Sequence, residues 1–355
     1  MTPEKLLDAL NDIDGKAIRD ARAAKAPASR FRSRRFAAIL AAVIALVAMT
    51  VTAFAAEEIA GWFRDYFARN ADLTQKQIEY IEENEQIVAE TQKHNGYSLE
   101  LKSVLSDSST IYVTIGVTAP SDVTYADLVS LSGMGMDFYD KDGTPGGSWG
   151  LQICDDSDGL ENTVDLVLEL NPATWNRGSM WTLRVDELRK EVYNKEYAQE
   201  LLETKYAGQS SIMFTDEEAA QIYQYVTLAE GPWEFTIDLS KVEKEELELI
   251  TEPVTAQNCY GFKADGTNVY EEVEITSFIL RPLSATIKAD FDVSALDFTS
   301  DADHQIYVIM KDGSRIELTG NWGTIGEQHL TAESPIVLNE VDYVLMADGT
   351  KLMVP

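Results

Sequence analysis

The chain has 355 residues, of which 60 are Asp or Glu and 29 are Lys or Arg, so its formal net charge at pH 7 is −31. A charge this negative argues against nucleic acid or an anionic surface as a partner. The two cysteines and three histidines have no metal-binding spacing, so the sequence predicts no metal and no cofactor.

Residues 1–35 predict two short amphipathic helices. Thr2 is suited to cap the first helix, with Pro3 at its first position. The apolar side chains form a stripe at helical spacing that consists of Leu6, Leu7, Leu10, Ile13 and Ile18. Two such helices cannot bury a core between them, so the stripe either lies on a membrane or binds a partner protein. A tail that only assists membrane topology is the simpler alternative.

Residues 36–56 contain no charged side chain. A helix of this length is about 30 Å long, which matches the hydrocarbon core of a bilayer. Basic residues stay on the cytoplasmic side of a membrane, so the sequence predicts a single-pass transmembrane helix with its N-terminus inside. The residues that would set this topology are Arg30, Arg32, Arg34 and Arg35.

Charge differs sharply on the two sides of this run. Residues 1–35 carry nine basic and five acidic side chains, a net of +4. The remainder carries 20 basic and 55 acidic side chains, a net of −35. We therefore expect a cell-membrane protein with the bulk of its chain extracytoplasmic, where cations or basic polymers are suitable neighbours.

The sequence leaves two properties of the apolar run open. Ala53-Phe54-Ala55 has the small-x-small pattern of a signal-peptidase site, although the long, patterned segment before it favours an uncleaved anchor. The small residues Ala37, Ala41 and Ala45 are also suited to pairing of two copies, which would make a homodimer through the transmembrane helix.

Residues 57–95 predict a helical segment just outside the membrane. Thr74 and Gln77 have the spacing of a capping box, and Asn95-Gly96 predicts the end of the helix. Four aromatic side chains near its start are typical of a belt at the outer headgroups: Trp62, Phe63, Tyr66 and Phe67.

Residues 96–245 predict a β-rich extracytoplasmic domain. Residues 97–105 and 110–118 alternate between apolar and polar side chains, which predicts a hairpin. Two charged segments, 186–206 and 215–225, predict helices within this domain.

Residues 246–355 predict a second β domain. Short strands separated by turns are typical of an immunoglobulin-like sandwich. Asp-Gly, a strong hairpin signal, recurs at 142–143, 265–266, 312–313 and 348–349. The predicted fold class is therefore α+β, mainly β outside the membrane, with short cytoplasmic helices, one transmembrane helix, a helical juxtamembrane segment and two β-rich domains.

The sequence does not predict an enzyme. HExxH and CxxC do not occur, and no histidine stands in a recognisable general-base context, so no catalytic residue is predicted. Residues 154–165 have the acidic spacing of a calcium loop, but the first ligand position is Cys154, so a solvated turn is favoured. Cys154 and Cys259 are both expected outside the cell, where a disulfide is permitted, and their pairing stays open.

Three segments carry a resemblance to a known family. They are residues 4–22 (EKLLDALNDIDGKAIRDAR), 62–86 (WFRDYFARNADLTQKQIEYIEENEQ) and 97–117 (YSLELKSVLSDSSTIYVTIGV), with GPWEFTIDLS further on. In this order the chain resembles the DUF4179-type membrane proteins of Firmicutes, which are described as anti-sigma-factor-like. The C-terminal part is similar to the immunoglobulin-like domain that often follows in such proteins.

The resemblance implies a regulatory role. A cytoplasmic segment would hold an extracytoplasmic-function sigma factor inactive, and the external domains would sense the envelope. The sequence lacks the Cys/His zinc-binding domain of many anti-sigma factors, which restricts sigma binding to the stripe in residues 1–35. The alternative is a membrane-anchored surface binding or adhesion module that holds an envelope polymer or protein and has no signalling role.

Overall fold

A computed structural model describes most of the chain after residue 60. The described residues are 61–69, 71–124, 128, 131–154, 162–171, 179–207, 214–242, 244–250, 252–263, 267–290, 305–324 and 326–355. All of them belong to one compact unit, residues 55–355.

Two short helices open the described chain, α1 (Trp62–Phe67) and α2 (Gln75–Asn84). The predicted capping box at the start of α2 is confirmed. The Gln77 amide N–H donates to Thr74 Oγ1 at 3.4 Å, and the Thr74 N–H donates to Gln77 Oε1 at 2.9 Å. These reciprocal bonds satisfy backbone donors that a helix start otherwise leaves unpaired.

The predicted helical segment 57–95 is wrong in its last part. Strand β1 (Gln86–His94) follows α2 at once and pairs with β2 (Tyr97–Ser106). Asn95 and Gly96 have φ values of 49° and 84°, so they form the tight turn of this hairpin rather than the end of a helix. Both residues tolerate this left-handed backbone, which hairpin turns of two residues require.

The first sheet is antiparallel, with strand order β1-β2-β3-β6-β5. Its remaining strands are β3 (Ile111–Thr118), β5 (Ser148–Cys154) and β6 (Thr163–Asn171). The predicted hairpin of residues 97–105 and 110–118 is confirmed as β2 and β3.

A three-stranded sheet of order β4-β7-β8 packs against the first. Its strands are β4 (Leu131–Asp140), β7 (Met180–Tyr193) and β8 (Tyr223–Asp238). Helices α3 (Lys195–Thr204) and α4 (Asp216–Ile222) lie between β7 and β8 in the chain. The predicted helix 186–206 is therefore wrong up to Tyr193, and the predicted helix 215–225 ends three residues early.

Strands β9 to β17 make up the second half of the described chain. They are Leu247–Glu248, Val254–Phe262, Asn268–Leu280, Ser284–Asp290, Ile306–Met310, Arg315–Thr324, Glu327–Ala332, Val341–Leu345 and Lys351–Met353, with a 3-10 helix at Leu338–Glu340. Predicted Asp-Gly turns are confirmed by the positive φ values of Gly313 and Gly349, and in the first half by that of Gly143. Residues 265–266 lie outside the described residues.

The predicted α+β fold class is wrong, because the described residues are mainly β. No described helix exceeds 10 residues, and none in the described ranges is long and apolar enough to cross a membrane. The predicted transmembrane helix, residues 36–56, and the predicted cytoplasmic helices lie outside the described residues.

The strands of the second half join in one sheet of order β10-β11-β12-β15-β14-β13-β16-β17, with β9 beside β11. An immunoglobulin-like sandwich has two separate sheets, so that prediction is not confirmed.

Two large cores hold the molecule together. In the first half, side chains of β2, β3 and β6 meet Trp181, Leu183, Trp233 and Phe235 of the three-stranded sheet. The second half has its own core around Phe278. The predicted domain boundaries themselves stay predictions.

Candidate functional site

The predicted functional residues precede the described chain. The partner-binding stripe (Leu6, Leu7, Leu10, Ile13 and Ile18) and the topology determinants (Arg30, Arg32, Arg34 and Arg35) lie outside the described residues and stay predictions. The described residue nearest to them in the chain is Gly61, at the start of α1. Helix α1 is therefore the described element that lies nearest in the chain to the N-terminal segment.

A small third core joins α1 and α2 to both halves of the protein. We call it the helical junction, and its buried members are Phe63, Phe67, Ile81, Leu105, Tyr112, Cys154, Val167 and Leu283. Seven of these residues come from the helices and the first sheet, whereas Leu283 precedes β12 of the second half. The junction is therefore the place where the first described helix meets both halves.

Helix α1 is held by one aromatic face. Phe63 and Phe67 are four residues apart, so they lie on the same side of the helix, and both are fully buried. The Phe67 ring contacts Tyr112 of β3 edge-on, with ring centroids 5.5 Å apart, and Phe63 contacts the same ring at 6.3 Å. Burial raises the pKa of the neighbouring Tyr66 to about 12, so this phenol stays neutral. The prediction of an aromatic belt at membrane headgroups is wrong for Phe63 and Phe67, because they bury their rings in protein.

The start of α1 is fixed by a carboxylate from the end of α2. Glu85 Oε2 accepts a hydrogen bond from the Gly61 N–H at 3.2 Å, and the carboxylate also interacts with the Phe63 amide and the Ser103 hydroxyl. A negative charge is favourable at this end of a helix. Burial nevertheless raises the pKa of Glu85 above its ordinary value of 4.5, because desolvation outweighs these contacts.

We expect Glu85→Gln to change how stability depends on pH. Because the folded state raises the pKa of Glu85, its contribution to stability is complete below pH 4.5 and is lost as pH rises through the raised value. Glutamine keeps an acceptor for Gly61 but has no charge to bury. Urea unfolding should therefore show that the variant gains stability relative to the native protein between pH 4.5 and neutrality. Glu82→Gln, on the exposed side of α2, is the matched control. A difference between E85Q and the native protein that does not vary with pH would contradict this account.

A lysine ties α1 to the first sheet from the other side. Lys102 Nζ lies 4.9 Å from the centre of the Trp62 ring and 2.7 Å from a carboxylate oxygen of Asp165. The Lys102 and Asp165 side chains are only 19% and 5% exposed, so solvent screens this pair weakly. Asp165 occupies the last position of the calcium-loop pattern in residues 154–165, and its carboxylate pairs with Lys102. Residues 155–161 of that loop lie outside the described residues.

Helix α2 is docked on the second half through the same glutamine that caps it. Gln77 Nε2 donates to the Pro335 carbonyl at 2.6 Å and to Ser334 Oγ at 3.1 Å, while its Oε1 completes the capping box. Lys76 adds an ion pair to Glu340 at 2.6 Å. Because one side chain serves both the helix start and the docking, a shift of the second half would disturb α2 directly.

A buried aspartate in the β2–β3 turn makes a polar link between the two halves. Asp107 Oδ1 accepts from the Ser109 and Thr110 N–H groups at 2.6 and 2.8 Å. Its Oδ2 accepts from the Leu283 N–H at 3.0 Å and from the Ser284 hydroxyl at 2.7 Å. Burial raises the pKa of Asp107, while the four donors favour its ionised form.

A second polar link runs beside Asp107. Arg281 Nε donates to Glu246 Oε1 at 2.9 Å, and the Ser108 hydroxyl donates to the same oxygen at 2.9 Å. On the neighbouring β6, Glu169 accepts from the Thr331 hydroxyl of the second half at 2.9 Å. The two halves are thus joined by directional bonds as well as by the apolar junction.

One set of side chains among the described residues has the order of a catalytic triad. Thr286, His329 and Glu327 follow one another like a nucleophile, base and acid, with Thr286 Oγ1 3.5 Å from His329 Nδ1 and Glu327 Oε1 2.8 Å from Nε2. However, Thr286 is buried and its hydroxyl accepts a bond from Arg281 at 2.8 Å, so a substrate cannot reach it. Across the described ranges, no group of three or more His, Cys, Asp or Glu is placed to hold a metal ion. No disulfide joins the buried Cys154 and Cys259.

Two open clefts adjoin α2, with volumes of about 690 and 830 Å³. The first is lined by Lys76 and Arg315 together with Asp312 and Glu340. The second has a similar mixture of lysines and glutamates. Because acidic and basic side chains occur together, neither cleft has the single sign of charge that attracts a strongly charged small molecule.

Sequence reasoning missed both the helical junction and the buried position of Asp107. The aromatic pair at i and i+4 in α1 fits a protein core as well as a membrane interface, and nothing in the sequence distinguishes the two. Asp107 stands in the segment SDSST, which has the composition of an ordinary exposed turn. An aspartate among serines and threonines favours a turn in which its carboxylate accepts from the backbone amides that follow. This pattern does not reveal that the turn is buried.

The described chain is a mainly antiparallel β protein whose first described helix packs into the helical junction with both halves. Residues 29–119 match the family model called Domain of unknown function (DUF4179), a range that ends just after β3. This match supports the assignment of that part of the chain to the DUF4179 family. No curated protein matches the chain. Among solved structures, the crystal structure of the conserved domain protein from Bacillus anthracis is similar at 12% identity and a TM-score of 0.36, with 74% of this chain and 76% of that chain covered.

Proposed function

We propose that the protein is a membrane-attached regulator of the anti-sigma-factor type. In this proposal residues 1–35 bind and block a cytoplasmic sigma factor, and the β-rich part senses the cell envelope from the other side of the membrane. The observation that carries the proposal is the division of charge around the uncharged residues 36–56, +4 before them and −35 from residue 36 onward. The DUF4179 match at residues 29–119 supports it, because it spans this division.

The proposed inhibition needs only a small contact surface. A stripe of Leu6, Leu10 and Ile13 can cover several hundred square ångströms of a partner, and attachment to a membrane raises its effective concentration. Two short helices cannot bury a core between them, so their apolar side chains need a partner surface.

The helical junction supports a route by which the exterior could act on this tail. Phe63 and Phe67 bind α1 to the first half, and Leu283 brings the second half into the same core. A ligand that shifts one half against the other would strain the contacts of Asp107 and Gln77 and so disturb the start of α1 at Gly61. The external ligand in this proposal is an envelope polymer or protein, and pairing through the apolar run would give a homodimer. No catalytic step is part of the proposal.

We expect Leu10→Asp to abolish binding of the sigma factor. The test is co-purification of the full chain with sigma factors from cells of the source organism, together with a reporter for the dependent promoter. The charge would be placed in the middle of the apolar stripe, whereas Asn11→Asp adds the same charge beside it and is expected to keep binding.

Retention of a sigma factor that is lost only in L10D would support the proposal. If the full chain retains none, or if L10D and N11D behave alike, the regulatory proposal fails. The alternative, a membrane-anchored surface binding or adhesion module, would then be the better account.

A further inference from the structure

Strand β8 is covered along only part of its outer edge. It is the last strand of the sheet β4-β7-β8 among the described residues. Near its C-terminal end, Gln92 of β1 exchanges two hydrogen bonds with the Glu234 backbone, and Asn95 Nδ2 donates to the Glu230 carbonyl at 2.8 Å. Residues 223–227, with the sequence Tyr-Gln-Tyr-Val-Thr, are exposed without exception.

Three other edge strands of the described sheets, β1, β17 and β10, carry protection that this segment lacks. β1 contains Glu90 and Lys93 and is kinked by a bulge at Ala89, whose φ is 54°. β17 has three residues and begins with Lys351. On β10, the Gln257 N–H already donates to Asp348 at 3.0 Å. Charges, bulges and short length prevent an edge from pairing with another strand. Residues 223–227 are uncharged and belong to a strand of 16 residues, so they are suited to such pairing.

The hydrogen-bonding groups of an edge strand select an extended backbone as their partner. An added strand would satisfy N–H and C=O groups that point away from β7. Because β1 covers the edge from Glu230 onward, the added strand has about five residues of β8 available. The site therefore takes a short extended segment rather than a helix or a small molecule.

Tyrosines line one face of this edge. Tyr223 and Tyr225 are two residues apart and so lie on the same face, and Tyr193 pairs directly with Tyr223 across the hairpin. The Tyr193 and Tyr223 ring centroids are 5.5 Å apart, and the three side chains are 38–56% exposed. Alternate side chains of an added strand would lie beside these rings. Exposed aromatic faces attract lysine and arginine.

The negative charge of the chain favours a different protein, rather than a second copy, as the source of the added strand. The insertion between β7 and β8, residues 194–222, carries six acidic and two basic side chains, and the whole chain has a net charge of −31. Two copies joined edge to edge would bring two acidic insertions together, which is unfavourable. A cationic strand would meet both the tyrosine rings and the acidic insertion favourably.

We propose that residues 223–227 form a strand-addition site for an extended, positively charged segment of another protein. This site is independent of the proposed regulatory function, since it requires neither the N-terminal stripe nor a sigma factor.

The test uses the full chain in a neutral detergent and a fluorescein-labelled heptapeptide of alternating Lys and Val, followed by fluorescence anisotropy. We expect this peptide to bind at least about tenfold more tightly than the same peptide with Glu in place of Lys, and N-methylation of alternate backbone amides to weaken it by a similar factor. Tyr225→Lys should weaken binding by about tenfold, because it removes a ring and adds a repelling charge. Tyr270→Lys adds the same charge at an exposed tyrosine of β11 and is expected to leave binding unchanged.

Each of the following results would overturn the proposal. The Glu peptide or the N-methylated peptide could bind as tightly as the Lys peptide, which would exclude recognition by charge or by backbone pairing. The Lys peptide could fail to bind the native chain, or bind Y225K equally well. Sedimentation could instead reveal a dimer that Y225K dissociates, which would identify a second copy as the occupant.

Discussion

Replacing Asp107 with asparagine is expected to destabilise the protein by about 2–4 kcal/mol, because two of its four buried donors lose their acceptor. An asparagine oxygen can keep the Ser109 and Thr110 amides, but its NH₂ group then faces the Leu283 N–H and the Ser284 hydroxyl. The hydroxyl can rotate to accept, whereas the Leu283 N–H cannot. Urea unfolding of the full chain, followed by tryptophan fluorescence, measures the loss.

Asp312→Asn is the matched control for this change. Asp312 also accepts the N–H of the residue two positions later, Ser314, at 2.8 Å, but it is exposed and bonds only within its own turn. We expect it to change the unfolding free energy by no more than about 0.5 kcal/mol. If D107N were as mild as D312N, the buried link between the two halves would be unimportant for stability. A second unfolding transition in D107N alone would indicate that the halves had come apart.

Phe67→Ala is expected to cost about 3–5 kcal/mol, the usual range for removing a fully buried phenylalanine. The ring contacts Tyr112 of β3 and lies in the same core as Leu283, so its loss leaves a cavity between α1 and both halves. We also expect α1 to detach, which should make the chain near Gly61 sensitive to a protease at concentrations that leave the native protein intact.

Phe67→Leu separates packing from any special role of the ring. Leucine keeps most of the volume, so a loss of less than about 1.5 kcal/mol and normal protease resistance are expected. Equal, small effects of F67A and F67L would mean that α1 is not part of the folded core, and the proposed route from the exterior to the N-terminal segment would lose its basis.

Short-range sequence patterns correctly predicted the elements that are set by interactions between residues close together in the chain. The β2–β3 hairpin followed from alternating side chains, and the capping box of α2 from Thr74 and Gln77. The Asp-Gly turns at Gly313 and Gly349 followed from the glycine that a positive φ favours.

The predictions failed where tertiary contacts override local pattern. Residues 186–193 are rich in charge and read as a helix, yet β7 lies between β4 and β8, and two bulges interrupt its alternation. The sequence predicted residues 86–94 as the end of a helix, because Asn95-Gly96 suits a helix end as well as a hairpin turn. The sequence does not rank these two uses, and pairing with β2 decides between them.

The helical junction and the burial of Asp107 could not be predicted from the sequence for a related reason. Its members are far apart in the chain, and burial of Asp107 depends on Leu283 and Ser284, more than 170 residues away. A turn sequence contains no information about what covers it.

The distance in sequence between Asp107 and Leu283 also affects how the protein is made. The two residues are 176 positions apart, so at a synthesis rate of 5–20 residues per second the partner of Asp107 follows it by roughly 10–35 s. During that interval the β2–β3 turn and the rings of α1 have a surface that nothing from the second half yet covers. The nascent first half is therefore a target for holding chaperones, and slow translation between residues 107 and 283 should increase aggregation more than slow translation after the second half has emerged.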